Sequence, residues 1–181
     1  CNGACSLLVP RWLEELGCEI LALNDDPSAP FPHSPEPTPR TMAQLRAVVK
    51  AGRADIGFAH DADGERLGLV TELGEPMSEE LTLPLAALIR WEQRRGPIVT
   101  NISTGSRIDQ IAARYGTEVI RTPVGQPFIS EAMIEYGAVL GGEGSGGIAV
   151  PEVHPTHDSA AAIGLILERL AASGEKISEL A

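Results

Sequence analysis

The chain is 181 residues long, 43% hydrophobic and 22% charged, with a formal net charge of −11. That apolar fraction excludes a disordered or fibrous chain, and 181 residues suffice for one large domain or two small ones. The acidic balance disfavours nucleic acid and anionic membranes as partners, and no apolar run approaches a membrane span in length.

No basic leader followed by an apolar stretch opens the chain, so no secretory signal is expected. Cys1, Cys5 and Cys18 are odd in number and lack CxxC spacing, which fits free thiols in a reducing cytoplasm better than a disulfide framework or a zinc site. Ser6 is placed to cap a helix with Leu8, Trp12, Leu13 and Leu16 on its apolar face and Gly17 at its end. A strand is expected at 19–23. Six prolines within 27–40 predict an extended surface loop. Thr41 is placed to cap a second helix with Met42, Leu45, Val48 and Val49 inward and Gly52 at its end. Strands are expected at 54–60 and 67–72, on either side of the acidic stretch DADGER.

After a turn signal at 74–76 the alternation restarts. A helix is expected over 83–95, where Pro84 is tolerable only near the first turn. Strands at 97–103, 117–122 and 138–142 alternate with helices at 107–115 and 128–136, and a last helix spans 158–172 with Ile163, Ile166, Leu167 and Leu170 on one side. Two such alternating units predict an α/β protein of two tandem three-layer α/β/α domains with mostly parallel, mixed sheets, at 1–75 and 76–181.

Two loops carry candidate chemistry, and both follow apolar strands, where α/β sheets place their sites. In the first, Asp61, Asp63 and Glu65 alternate around Gly64, so that their oxygens can converge on a hard cation, with Arg66 adjacent. A solvated acidic turn is the plain alternative. An EF-hand fails because its sixth position needs glycine and is Arg66 here, and because the flanks read as strands. The arginine points instead to an anionic guest such as phosphate. The second loop, GGEGSGG, sets Glu143 and Ser145 among glycines, a pair suited to sugar hydroxyls. It is neither a GxSxG nucleophile elbow nor a dinucleotide fingerprint, because Glu143 precedes Ser145 by two and IAVPE reads as strand. Asp158 is expected to start the last helix with its carboxylate at the favourable dipole end, leaving His154 and His157 at most a minor part in holding phosphate.

Taken together, DADGER, GGEGSGG, PEPTP at 35–39 and RTPVG at 121–125 resemble the α-D-phosphohexomutase family, which includes phosphomannomutases, phosphoglucomutases and phosphoglucosamine mutases. The resemblance spans essentially the whole chain and corresponds to the second and third of that family's four domains. It implies that Asp61, Asp63 and Glu65 ligate Mg2+, that Arg66 sits beside a phosphorylated serine as the catalytic arginine, and that Glu143 and Ser145 contact the ring hydroxyls of a hexose phosphate. CNGACS resembles the start of the second domain, which a strand ending in aspartate normally precedes. Against the family pattern DGDxDR, Glu65 replaces an aspartate and Ala62 a glycine, while Pro123 stands where some members carry lysine. The family's serine segment and its phosphate-binding fourth domain have no counterpart here, so the chain alone is expected to be inactive as a mutase. A non-catalytic sugar-phosphate or divalent-cation binding module of the same fold is the rival expectation.

Overall fold

The computed structural model describes residues 2–180. The architecture is α/β, with helices packed on mixed sheets. The first part comprises α1 (Val9–Glu15), α2 (Ala43–Gly52), β1 (Ile56–His60) and β2 (Leu67–Thr71). β1 and β2 are antiparallel, with Phe58 opposite Leu69 and His60 opposite Leu67. Successive β2 side chains face opposite ways: Val70 packs with Met42 and Val49 of the α2 segment, whereas Leu69 joins the main core with Val9 and Leu13 of α1.

A 3₁₀ turn at Glu79–Leu81 leads into α3 (Thr82–Gln93), in which Pro84 lies in the first turn as its chemistry requires. There follow β3 (Ile98–Asn101), α4 (Arg107–Tyr115), β4 (Val119–Thr122), α5 (Gln126–Tyr136), β5 (Leu140–Gly142), β6 (Ile148–Ala149), α6 (Ser159–Ser173) and α7 (Ile177–Leu180). Their sheet has the order β4-β3-β5-β6, parallel except for β6. Alternation along β3 builds the three layers. Ile98 faces the main core with residues of α3, α4 and α6, and Val99 faces Ile129 and Met133 of α5. Leu67, Leu83, Trp91 and Ile163 belong to the same main core, so apolar packing runs without a break from the first sheet into the second part. Trp91 stacks on Tyr115 at 5.5 Å and donates its indole N–H to the Gly96 carbonyl.

Several local expectations give way. Residues 19–23 lie outside both sheets, and the first sheet is antiparallel rather than mostly parallel. The reason is the absence of a neighbouring ladder. Among the described residues β1 pairs with β2 alone, and a groove of about 610 Å³, lined by Leu21, Leu45, Val49 and Phe58 among others, separates its other side from 19–23. Neither expected N-cap forms. α1 begins after Leu8, with no side-chain cap. α2 begins after Met42, because the Thr41 hydroxyl is already bonded within the proline-rich loop, to the carbonyls of Glu36 and Thr38. Leu8 and Leu16 are exposed, leaving Val9 and Leu13 as the buried face of α1. The positive-φ residue ending α2 is Arg53 rather than Gly52. Asp158 does cap α6, accepting the N–H groups of Ala160 and Ala161 at 2.8 and 3.0 Å.

Candidate functional site

The acidic loop is the connection between two antiparallel strands, and its first carboxylate is spent on holding it together. Asp61, 8% exposed, accepts the backbone N–H groups of Glu65 and Arg66 through Oδ1 at 2.9 and 3.0 Å. Gly64 takes φ +79°, the left-handed turn that closes the loop. Ala62 is not among the described positive-φ residues, so its methyl group is tolerated where the family pattern has glycine.

Burial raises the pKa of Asp61, and the charge of Asp63 adds to the rise against the opposing backbone hydrogen bonds. Glu65 is raised likewise by burial and by the charges of Asp63 and Asp61. Arg66 loses some charge stability to burial but more than regains it from Glu36, Asp61 and Asp63, so its pKa stands above the ordinary value. Its guanidinium pairs with Glu36 of the proline-rich loop, and its Nε lies 3.7 Å from Asp61 Oδ2.

The glycine-rich loop joins β5 to β6 and rests directly on the acidic loop. The Leu67 N–H donates to the Gly146 carbonyl at 3.0 Å, and Arg66 forms an antiparallel bridge with Gly147. This contact sets Arg66, Glu143 and Ser145 in the wall of one cleft of about 390 Å³, together with Glu36, Asn101 and Ser103. Glu143 Oε1 accepts from Asn101 Nδ2 at 2.7 Å, and Ser145 Oγ lies 3.4 Å from Glu143 Oε2. Asn101 is itself held: its Oδ1 accepts the N–H and hydroxyl groups of both Ser103 and Thr104. Arg121, in the RTPVG motif, steadies the same turn by donating to the carbonyls of Asn101 and Thr104 while paired with Asp109 at 2.6 Å. The 610 Å³ groove is larger and is lined by apolar side chains such as Leu21, Leu45, Val49 and Phe58, with Glu36, His60 and Asp61 also in its wall.

Thus Arg66, Glu143 and Ser145 come together, whereas Asp61, Asp63 and Glu65 do not line that cleft. Among the described residues, no three or more His, Cys, Asp or Glu side chains are grouped so as to hold a metal ion. The loop is therefore not a preformed cage. Its donor chemistry nonetheless fits a hard cation, because the carboxylates of Asp61 and Glu65, raised in pKa by burial and then by neighbouring negative charge, are relieved by a dication. Glu36 and Asn101 are the participants that sequence reasoning missed. Asn101 had a usable signal, a polar residue at the carboxyl end of a buried strand. Glu36 had none beyond its place in PEPTP.

Behind the acidic loop, burial pushes His60 down to about 4, so its imidazole is neutral in the folded state. The unfolded chain takes up this proton near pH 6.5 and the folded chain only near pH 4, so stability is fully present above 6.5 and falls as pH drops toward 4. His157, lowered by burial, acts with the same sign. We expect the melting temperature, measured in EDTA, to fall between pH 7 and 5 by more in the parent chain than in His60→Gln. The two profiles differ by about 3 kcal/mol at most, and parallel profiles would contradict the assignment.

Comparison with known proteins places residues 1–74 and 80–181 on the family models described as phosphoglucomutase/phosphomannomutase α/β/α domain II and domain III. The chain is 38% identical over 181 residues to a phosphoglucomutase/phosphomannomutase of Thermococcus kodakarensis, covering 99% of this chain and 40% of that protein. A phosphoglucomutase/phosphomannomutase family protein of Burkholderia thailandensis superposes with a TM-score of 0.84 at 29% identity, over 99% of this chain and 40% of that one. The fold is shared, at TM-score 0.65 and 16% identity, with Aspergillus fumigatus N-acetylphosphoglucosamine mutase, solved with GlcNAc-6P and magnesium; 95% of this chain and 46% of that one are covered. The chain therefore spans about 40% of the length of the curated relatives it matches.

Proposed function

Because the chain belongs to the phosphoglucomutase/phosphomannomutase family, we propose that it forms the metal-binding and sugar-reading units, 1–75 and 76–181, of a cytoplasmic mutase moving phosphate between C1 and C6 of a hexose. The parent enzyme transfers the phosphoryl group from a phosphoserine in another domain and takes it back from a bisphosphorylated sugar, while a further domain holds the phosphate that is not transferred. The observation that carries this reading is the cleft lined by Arg66 from the acidic loop and by Glu143 and Ser145 from the glycine-rich loop.

Asp61, Asp63 and Glu65 would hold Mg2+, which when bound supplies Lewis-acid withdrawal of charge from the phosphoryl oxygens. Arg66 offers its guanidinium to the same oxygens, and Glu36, its present partner, keeps that group at the rim of the cleft. Glu143, oriented by Asn101, accepts hydrogen bonds from ring hydroxyls, and Ser145 donates or accepts beside it. The ring is thereby held so that either end can be offered to the serine. Positioning and charge neutralisation are the main work of phosphoryl transfer.

Mg2+ is expected to raise the melting temperature of the 181-residue chain, and Asp63→Asn to abolish the rise. At a hundredfold excess over Kd the stabilisation is about 2.7 kcal/mol, or about 5–10 °C for a chain of this size. In the full-length protein, turnover of glucose or mannose 1-phosphate should collapse with the same substitution. The non-catalytic binding module is favoured by Glu65, whose longer side chain stands where the family pattern has aspartate. Binding of Mg2+ and glucose 1-phosphate by the full-length chain without turnover would decide for it.

A further inference from the structure

Ser159, the first residue of α6, is fully buried at 0% exposure and makes two hydrogen bonds to the segment that carries the acidic loop. Its N–H donates to the Gly64 carbonyl at 2.9 Å, and its Oγ is hydrogen-bonded to His60 Nδ1 at 2.7 Å. His60 is the last residue of β1 and Gly64 lies at the bend, so the two anchors bracket Asp61 and Asp63. The neighbouring residue is tied to the other loop: the Asp158 N–H donates to the Ile148 carbonyl at 2.8 Å, on the strand by which the glycine-rich loop leaves. Cys5 closes the arrangement, its Sγ 3.7 Å from Ser159 Oγ, and a Cβ at Gly64 would fall 2.5 Å from that sulfur. The bend is therefore closely packed against Cys5, in the turn that precedes α1.

We infer that Ser159 is a positioning residue that holds the acidic loop in register with the glycine-rich loop through the start of α6. The inference rests on the proposed reading of the acidic loop as a cation site, but its geometry does not depend on a cation being bound. The Ser159 hydroxyl fixes the imidazole of His60, and the Ser159 amide fixes the bend. Because α6 is capped by Asp158 and packed through Ile163 and Ile166, both anchors start from a rigid element. Removing the hydroxyl frees one end of the bracket and leaves the other in place. The loop then samples arrangements in which Asp61 and Asp63 no longer present their oxygens together, and cation affinity falls without loss of the fold.

The test compares Ser159→Ala with Ile163→Val, a truncation one helical turn along α6 that leaves the bracket intact. Both are made in the 181-residue chain and probed with Mn2+ by calorimetry and by amide hydrogen exchange without metal. Ser159→Ala should weaken Mn2+ binding about tenfold and speed exchange of the Glu65 and Arg66 amides by a similar factor, because those amides are bonded to Asp61 Oδ1. Ile163→Val should leave Kd within twofold and the two amides unchanged relative to the rest of β2. Equal weakening by both variants, or unchanged loop exchange in Ser159→Ala, overturns the inference. If the parent chain binds no Mn2+, the cation reading fails, and the exchange comparison still decides whether Ser159 positions the loop.

Discussion

Glu143→Ala in the full-length parent protein is expected to lower kcat/KM for a hexose 1-phosphate by about two to three orders of magnitude. The carboxylate is oriented before substrate arrives, with Oε1 bound to an Asn101 amide whose own oxygen is satisfied by four donors. Little of its binding energy is then lost to ordering. A hydrogen bond to a charged group contributes about 1.5–3 kcal/mol, and losing two to ring hydroxyls, each in the lower part of that range, removes about 3–4 kcal/mol, which sets the expected factor. Asn101→Ala removes orientation and leaves the charge, so it should cost a smaller factor, about tenfold to fiftyfold. The measurement is steady-state kinetics alongside urea unfolding. A Glu143→Ala enzyme with undiminished kcat/KM would remove the glycine-rich loop from sugar recognition.

The second large effect concerns the contact between the two loops. Gly146 has φ +95°, and a Cβ there would lie 2.8 Å from the Leu67 carbonyl oxygen, a backbone atom that cannot swing aside. Gly146→Ala should therefore cost about 2–4 kcal/mol, from backbone strain and from the displaced Leu67 N–H to Gly146 carbonyl bond. Gly144→Ala is the control from the same loop, since its Cβ would meet nothing closer than Thr104 Cα at 3.5 Å. It should stay within about 0.5 kcal/mol of the parent. Urea midpoints at constant m value separate the two. Equal midpoints would mean that the loops are not held together by this contact. If Gly146→Ala proves folded but unable to bind glucose 1-phosphate in the full-length protein, the contact also sets the spacing of Arg66 from Glu143.

Legibility in the sequence varied with the range of the interaction. The helix at 107–115 was expected at the bounds it adopts, since its apolar period and Gly116 are local signals. Asp158 at the start of the last helix and Pro84 in a first turn were legible for the same reason. Ser6 and Thr41 had the right chemistry for caps, yet the Thr41 hydroxyl is bonded to the carbonyls of its own loop, and α1 starts three residues after Ser6. The strand expected at 19–23 shows the limit most clearly. Its apolar composition suits a sheet, but a strand also needs a place in a continuous ladder, and among the described residues the first sheet consists of β1 and β2.

The sequence by itself determined the alternating α/β character, the family, and the placing of one acidic and one glycine-rich loop after apolar strands, because periodicity, turn residues and short motifs are written in consecutive positions. Only the tertiary structure decided that Arg66 pairs with Glu36, that Asn101 orients Glu143, and that His60 and Gly64 are both held by Ser159. Those partners stand 30, 42 and 99 residues apart for the side-chain pairs. A hydrogen bond between such residues leaves no periodic trace along the chain, and it forms only once packing of the core has brought their elements together.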